Sequence, residues 1–126
     1  MNDLELPSAL LIGESVGDER VPTPDVRVRP LDDGSIAVVR SDDEYVAAEL
    51  TEVLGEIGRH PEVAVTHVES VERLLERYSA PAVGRFLSLL RARTELSDGR
   101  VYASLDDGPV PRAVSAAFER ERWLER

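Results

Sequence analysis

The chain contains no cysteine and no lysine, so all of its 15 basic residues are arginine. Without cysteine, disulfides cannot stabilise the fold and thiolate metal sites are excluded. No apolar run approaches the roughly 18 residues of a membrane-spanning helix, and the acidic residues 1–5 do not resemble a signal peptide. We therefore expect a soluble, cytoplasmic protein that does not bind a membrane.

Acidic residues are in large excess. Aspartate and glutamate number 25, which gives a formal net charge of −10. Lysine is normally among the commonest residues; a GC-rich genome explains arginine in its place but does not explain the acid excess. Acidic surfaces keep proteins hydrated in molar salt, where screening removes the self-repulsion that such a charge causes. The combination predicts a halophilic archaeon as the source, with a GC-rich bacterium as the alternative.

The first half of the chain carries the whole net charge. Residues 1–63 contain fifteen acids and five arginines, whereas residues 64–126 contain ten of each. The arginines of the second half are interleaved with glutamates at helical spacing, as Arg73 is with Glu76. A basic nucleic-acid footprint is therefore missing, and we expect no nucleic-acid partner.

The periodicity of apolar residues predicts five strands and four helices in a single domain of 126 residues. The strands are predicted at residues 9–12, 26–29, 36–39, 63–68 and 101–105. The helices are predicted from Ser41 to Gly58, from Ser70 to Tyr78, over 82–96, and from Pro111 to about Leu124. Ser70 is the predicted cap of the second helix, and the predicted buried face of the third comprises Val83, Phe86, Leu87 and Leu90. An Asp-Gly turn joins the second and third strands into an antiparallel hairpin. The later alternation of strands and helices predicts an α/β layered domain with a mostly parallel sheet and an antiparallel edge.

The first predicted helix has the clearest pattern. Ser41 and Glu44 form a capping box, in which each side chain satisfies an N–H group of the first turn. The apolar stripe of this helix comprises Val46, Leu50, Val53, Leu54 and Ile57. Its predicted outer face comprises Glu49, Glu52 and Glu56.

Four stretches in the second half carry a family resemblance. They are Thr66–Val71, Leu74–Leu75, Arg85–Leu90 and Val101–Asp106. Together they resemble the second half of a RecA-like core, in the form found in haloarchaeal proteins that have lost its nucleotide-binding motifs. A phosphate-binding loop needs glycines and a lysine, whereas the turn at residues 40–44 has neither and contains three acids. Residues 13–17 contain glycine but lack the Gly-Lys-Ser/Thr ending, so the resemblance implies no cofactor and no ATP hydrolysis.

Carboxylates follow several predicted strands. Asp42 and Asp43 follow one strand, Glu69 follows another, and Asp106 and Asp107 follow a third. In α/β sheets ligands bind beyond the carboxyl ends of the strands, and Mg²⁺ prefers oxygen ligands. If the three strands are parallel, these side chains converge on a metal site. Helix capping and turn formation explain the same residues without a ligand.

Other catalytic patterns are weak. His60 and His67 lie apart in the sequence, and without cysteine they make a poor transition-metal site. His67 and Glu69 share a strand face if the strand extends that far, which allows a base with an orienting carboxylate. No Gly-x-Ser-x-Gly elbow is present, so we predict no catalytic and no cofactor-binding residue.

Taken together, these features predict a non-enzymatic interaction or regulatory module. Its partner, another protein or a second copy, is expected to bind the C-terminal helices, where Trp123 is a candidate anchor. The alternative is a metal-dependent enzyme or sensor. The metal ligands of that alternative are Asp42, Asp43, Glu69 and Asp106.

Overall fold

The computed structural model describes residues 9–12, 23–41, 43–60, 64–105, 110–118 and 121–123. The strands in these ranges are β1 (Ala9–Ile12), β2 (Val26–Pro30), β3 (Ile36–Arg40), β4 (Asp43–Ala47), β5 (Val65–Val68), β6 (Arg100–Leu105) and β7 (Glu121–Trp123). The helices in these ranges are α1 (Leu50–Gly58), α2 (Val71–Arg77), α3 (Ala80–Glu95) and α4 (Arg112–Ser115). The fold is of the α/β class, as predicted. β4 and β7 are the two strands that the sequence did not predict.

All seven described strands belong to one mixed sheet, in the order β4-β3-β2-β5-β6-β1-β7. β5 is parallel to its neighbours β2 and β6, and β1 is parallel to its neighbours β6 and β7. β3 is antiparallel to both β2 and β4. The prediction of a mostly parallel sheet with an antiparallel edge is confirmed.

The helices lie on one face of this sheet. Two antiparallel pairings separate β4 from β2, so β4 is parallel to the central strands. Three connections cross the sheet in the same direction: from β4 to β5 through α1, from β5 to β6 through α2 and α3, and from β6 to β7 through α4. Right-handed crossovers that run in one direction place their helices on one face. The core agrees, because residues of all four helices form one cluster with strand residues such as Val28, Val68 and Ala103.

The opposite face of the sheet carries the strand residues that alternate with these core positions. They include Arg27 and Arg29 on β2, His67 on β5, and Tyr102 and Ser104 on β6. The parallel register places His67 beside both Arg27 and Tyr102. None of these five residues belongs to the core cluster that the helices build. Polar residues of three central strands are therefore gathered on the face away from the helices.

The segment Asp43–Ala47 is a strand, whereas the sequence predicted a helix beginning at Ser41. β4 pairs with β3 along its whole length, which satisfies more backbone groups than the two N–H groups of a capping box. Val46 is therefore 54% exposed on β4. The other four members of the predicted stripe are buried in α1, which begins at Leu50 without a side-chain cap.

The predicted C-terminal helix is also wrong. α4 ends at Ser115, and the later segment Glu121–Trp123 is a strand that pairs with β1. α4 packs closely on α3 at Gly84, where a Cβ atom would lie 2.4 Å from the carbonyl oxygen of Ala113. Only a glycine at this position allows the two backbones to approach so closely.

The two serines that precede α2 and α3 behave differently. Ser70 was predicted to cap α2, but it has a left-handed backbone with φ 54°, and its side chain makes no capping hydrogen bond. Ser79 does cap α3, because its Oγ accepts a hydrogen bond from the N–H of Ala82 at 3.3 Å. The predicted core residues of α3 are all buried. They are Val83, Phe86, Leu87 and Leu90.

Candidate functional site

The predicted metal ligands Asp43 and Glu69 lie at opposite ends of the sheet. Glu69 follows the C-terminal end of β5, and its N–H donates to the carbonyl of Val28. Asp43 begins β4 and pairs with Arg40, which lies opposite Val26 at the start of β2. The convergence that the metal hypothesis assumed therefore fails for this pair, because β3 is antiparallel to the central strands.

The remaining predicted ligands, Asp42 and Asp106, lie outside the described residues, as does Asp107. Within the described ranges, no group of three histidine, aspartate or glutamate side chains is arranged to hold a metal ion. Metal binding by these carboxylates stays a prediction that no described contact supports.

Glu69 instead binds two arginines of β2. Its Oε2 lies 3.3 Å from Nη1 of Arg27, and its Oε1 lies 3.0 Å from Nε of Arg29. Glu69 is 19% exposed, whereas the two arginines are 45% and 49% exposed. Burial acts to raise the pKa of the Glu69 carboxyl, but the hydrogen bonds and charges of the arginines outweigh it and hold this pKa below its usual value.

His67 lies beside this ion-paired group. Its Nε2 is 3.0 Å from Oγ of Ser104 on β6, in a hydrogen bond whose direction depends on the imidazole tautomer. Burial lowers the pKa of His67; the Glu69 carboxylate opposes this shift and the Arg27 guanidinium adds to it. The imidazole is therefore neutral at neutral pH.

We call Arg27, Arg29, His67, Glu69 and Ser104 the central polar cluster. The predicted pairing of His67 as a base with Glu69 as its orienting carboxylate makes no hydrogen bond among the described contacts; the two Glu69 oxygens accept from arginines instead. A neutral imidazole can still accept the Ser104 proton. The cluster is better arranged to bind an anion than to activate a nucleophile, since two guanidinium groups face one carboxylate.

Sequence reasoning missed the contacts within the central polar cluster. The alternation of β2 does place Arg27 and Arg29 on one face, which is a signal that the sequence contains. Their shared partner Glu69, however, is 42 positions from Arg27 and 40 from Arg29 along the chain. Ser104, the partner of His67, is 37 positions away from it. Only the register of three strands brings them together.

A second candidate site is an apolar groove of about 230 Å³ between α1 and α3. Its apolar lining comprises Leu50, Leu54, Tyr78, Ala82, Phe86 and Leu89. Leu89 is 44% exposed. Glu49 lines the groove on the α1 side and Arg85 lines it on the α3 side. The groove thus combines an apolar floor with one charge of each sign on opposite walls.

A polar cavity of about 390 Å³ lies between the β2–β3 turn and α2. Arg73 forms an ion pair with Asp32 of the turn. The guanidinium of Arg77 lies against Gly34, whose φ of +94° suits glycine, and it would meet a Cβ atom there at 2.6 Å. Both arginines therefore fasten the turn to α2, and we assign this cavity a structural role.

No protein-family model matches the chain, and no curated protein matches it. Among the helices that the structure describes, none is both long and apolar enough to cross a membrane. Function is therefore inferred from the groove and from the central polar cluster.

Proposed function

We propose that this chain is a non-enzymatic interaction module from the cytoplasm of a halophilic archaeon, and that it binds a second copy of itself through the groove between α1 and α3. Leu89 is the observation that carries this proposal. It is 44% exposed at the rim of an apolar groove in which Phe86 is only 2% exposed. A contiguous apolar patch with a polar rim is typical of a surface that a partner covers.

The charges of the groove favour a second copy as that partner. A two-fold axis along the groove brings α1 of one copy against α3 of the other. Glu49 of each copy then meets Arg85 of the other, so the surface is complementary to itself. Rim charges of this kind set orientation more than affinity. Burial of Leu89 and its neighbours supplies the free energy, which molar salt does not screen.

The composition supports the proposed source. A net charge of −10 suits a protein that works in molar salt, and arginine in place of lysine agrees with a GC-rich genome. The proposal of a RecA-like remnant rests on the resemblance within residues 63–107.

Size-exclusion chromatography with light scattering in about 1 M KCl tests the interface. We expect a dimer for the wild-type chain and a monomer for Leu89→Glu, because the substitution buries a charge between the copies. Leu96→Glu is the matched control. Leu96 lies at the end of the same helix, is 89% exposed and does not line the groove, so this variant stays dimeric.

A charge exchange tests the proposed orientation. At the lowest KCl concentration at which the wild-type chain is dimeric, where screening is weakest, Glu49→Arg and Arg85→Glu should each weaken the dimer, and the double variant should restore it, because the ion pair then forms with reversed signs. A wild-type chain that stays monomeric at all concentrations contradicts self-association and points to a different protein as the occupant of the groove. Equal dissociation of the dimer by Leu89→Glu and Leu96→Glu contradicts an interface at the groove between α1 and α3.

A further inference from the structure

The two arginines of the central polar cluster form a pair that is fixed in place. Arg27 and Arg29 are two positions apart on β2, so their side chains leave the same face of the sheet about 7 Å apart. Glu69 bridges them, with one carboxylate oxygen on each guanidinium. Because Glu69 is itself only 19% exposed, it holds both groups from the sheet side.

Most hydrogen-bond donors of this arginine pair are directed elsewhere. A guanidinium has five N–H donors, and Glu69 accepts from one nitrogen of each arginine. Among the described residues, Glu69 is the only carboxylate within ion-pair distance of Arg27 or Arg29. Glu44 also acts on Arg29, but only through the longer-range effect of its charge. The pair is about half exposed, so its remaining donors are accessible to a ligand.

The position of the pair in the sheet is one where ligands bind. Glu69 follows the C-terminal end of β5, and Ser104 is the penultimate residue of β6. In open α/β sheets ligands bind outside the carboxyl ends of parallel strands. The imidazole of His67 and the hydroxyl of Ser104 add neutral hydrogen-bonding groups beside the guanidinium pair.

We propose that Arg27 and Arg29, positioned by Glu69, bind a small oxyanion, namely the phosphate or carboxylate group of a metabolite. A planar guanidinium matches the oxygens of either group through two parallel hydrogen bonds. A pair fixed by Glu69 before the ligand arrives loses little side-chain freedom on binding. This site is independent of the groove between α1 and α3.

NMR titration tests the site with inorganic phosphate in one arm and acetate in the other, at constant ionic strength. The chain has two histidines, so His60→Gln assigns the ring signals of His67, which serve as the reporter. We expect a saturable shift of the His67 signals. Saturation by phosphate alone identifies a phosphate group as the ligand, and saturation by both anions identifies any small oxyanion. Linear shifts without saturation in both arms overturn the proposal.

Arginine variants show whether the guanidinium groups carry the binding. Arg29→Ala should weaken it by about tenfold or more, the loss of one charge-assisted contact. Arg29→Lys keeps the charge and removes the planar fork, so it should also weaken binding while retaining the fold. Arg59→Ala is the control, because Arg59 is 77% exposed at the C-cap of α1. An equal loss of binding in the Arg59 variant, or full binding by both Arg29 variants, overturns the proposal.

Discussion

Glu56 on α1 and Arg40 on β3 form a buried ion pair, with 3.1 Å between Oε2 and Nη1 and with side chains 8% and 15% exposed. Asp43 binds the other Nη of Arg40 at 2.7 Å. Nε2 of His60 lies 3.4 Å from the same Glu56 oxygen. The pair ties α1 to the antiparallel edge of the sheet, where β4 has its only described strand neighbour in β3.

Removal of one partner of this pair should be costly. We expect Glu56→Ala to lower the free energy of unfolding by about 1.5–3 kcal/mol, because Arg40 loses a charge-assisted hydrogen bond and keeps only Asp43 as its ion-pair partner. Arg59→Ala is the control, since Arg59 is 77% exposed and 4.0 Å from Glu56; it should cost less than about 0.5 kcal/mol. Urea unfolding at fixed KCl measures both. Similar losses in the two variants would contradict the role of the Arg40–Glu56 pair.

His67 should make the fold less stable as the pH falls. Its pKa in the folded chain is depressed by burial, so the unfolded chain binds the proton more readily. The free energy of unfolding is therefore at its full value above about pH 6.5, and it decreases as the pH falls through the folded-state pKa. Urea unfolding between about pH 5 and pH 7.5 should show this slope, and His67→Gln should flatten it. Equal slopes in both proteins would assign the pH dependence to other groups.

Because the pKa of Glu69 is depressed, the free energy of unfolding should fall in a second, more acidic pH range. Its ion pairs with Arg27 and Arg29 stabilise the charged form, so their contribution is lost as the pH falls below about 4.5. Glu69→Gln should remove this loss and should already be less stable than the wild type at neutral pH. The measurement is the same pH series continued downward, and a steeper acid slope in the variant would contradict the assignment.

Two helical glycines should respond in opposite directions to the same substitution. Gly84→Ala places a Cβ atom 2.4 Å from the carbonyl oxygen of Ala113, and the separation of α3 from α4 should cost about 2 kcal/mol. Gly55→Ala is the matched control. Nothing lies within 4 Å of its Cβ position, so it should stabilise α1 by about 0.5–1 kcal/mol. Thermal unfolding of both variants is the test, and a neutral Gly84→Ala would contradict the close approach.

The melting temperature should rise steeply with KCl. The net charge of −10 destabilises a compact chain through self-repulsion, and at about 1 M salt the Debye length shrinks to roughly 3 Å. Circular dichroism melts from about 0.1 M to about 1 M KCl measure the effect, with sucrose as an uncharged control. Equal melting temperatures across the salt series would remove the argument for a halophilic source.

The comparison of Ser41 with Ser79 shows what the sequence could predict. Both precede an apolar stripe, and only Ser79 caps a helix. The difference lies in what the following residues can pair with, because β3 is available to β4 and no strand competes for α3. Local patterns therefore predicted the core residues of α3 and the α/β fold class, whereas long-range pairing decided the structure of residues 43–47.

Glu56 shows the corresponding limit for side chains. Its helical spacing placed it on the outer face of the first predicted helix with Glu49 and Glu52, which is wrong, since Glu56 is buried. The residue that decides its environment is Arg40, sixteen positions earlier on β3. A helical wheel gives the direction of a side chain but gives no information on the strand beneath the helix. The groove could be anticipated only in part for the same reason, because its α1 wall depends on where α1 begins.

The position of β1 fixes an order of assembly. Ala9 pairs with Tyr102, so the first described strand is bonded on one side to β6 and on the other to β7. During synthesis, β2 and β3 can pair as soon as they leave the ribosome, whereas β1 waits for the last third of the chain. Closing so long a loop slows folding, and the waiting strand edge is open to a neighbouring nascent chain. The stage of synthesis before β6 emerges is therefore the one at which β1 can most easily pair with the wrong chain.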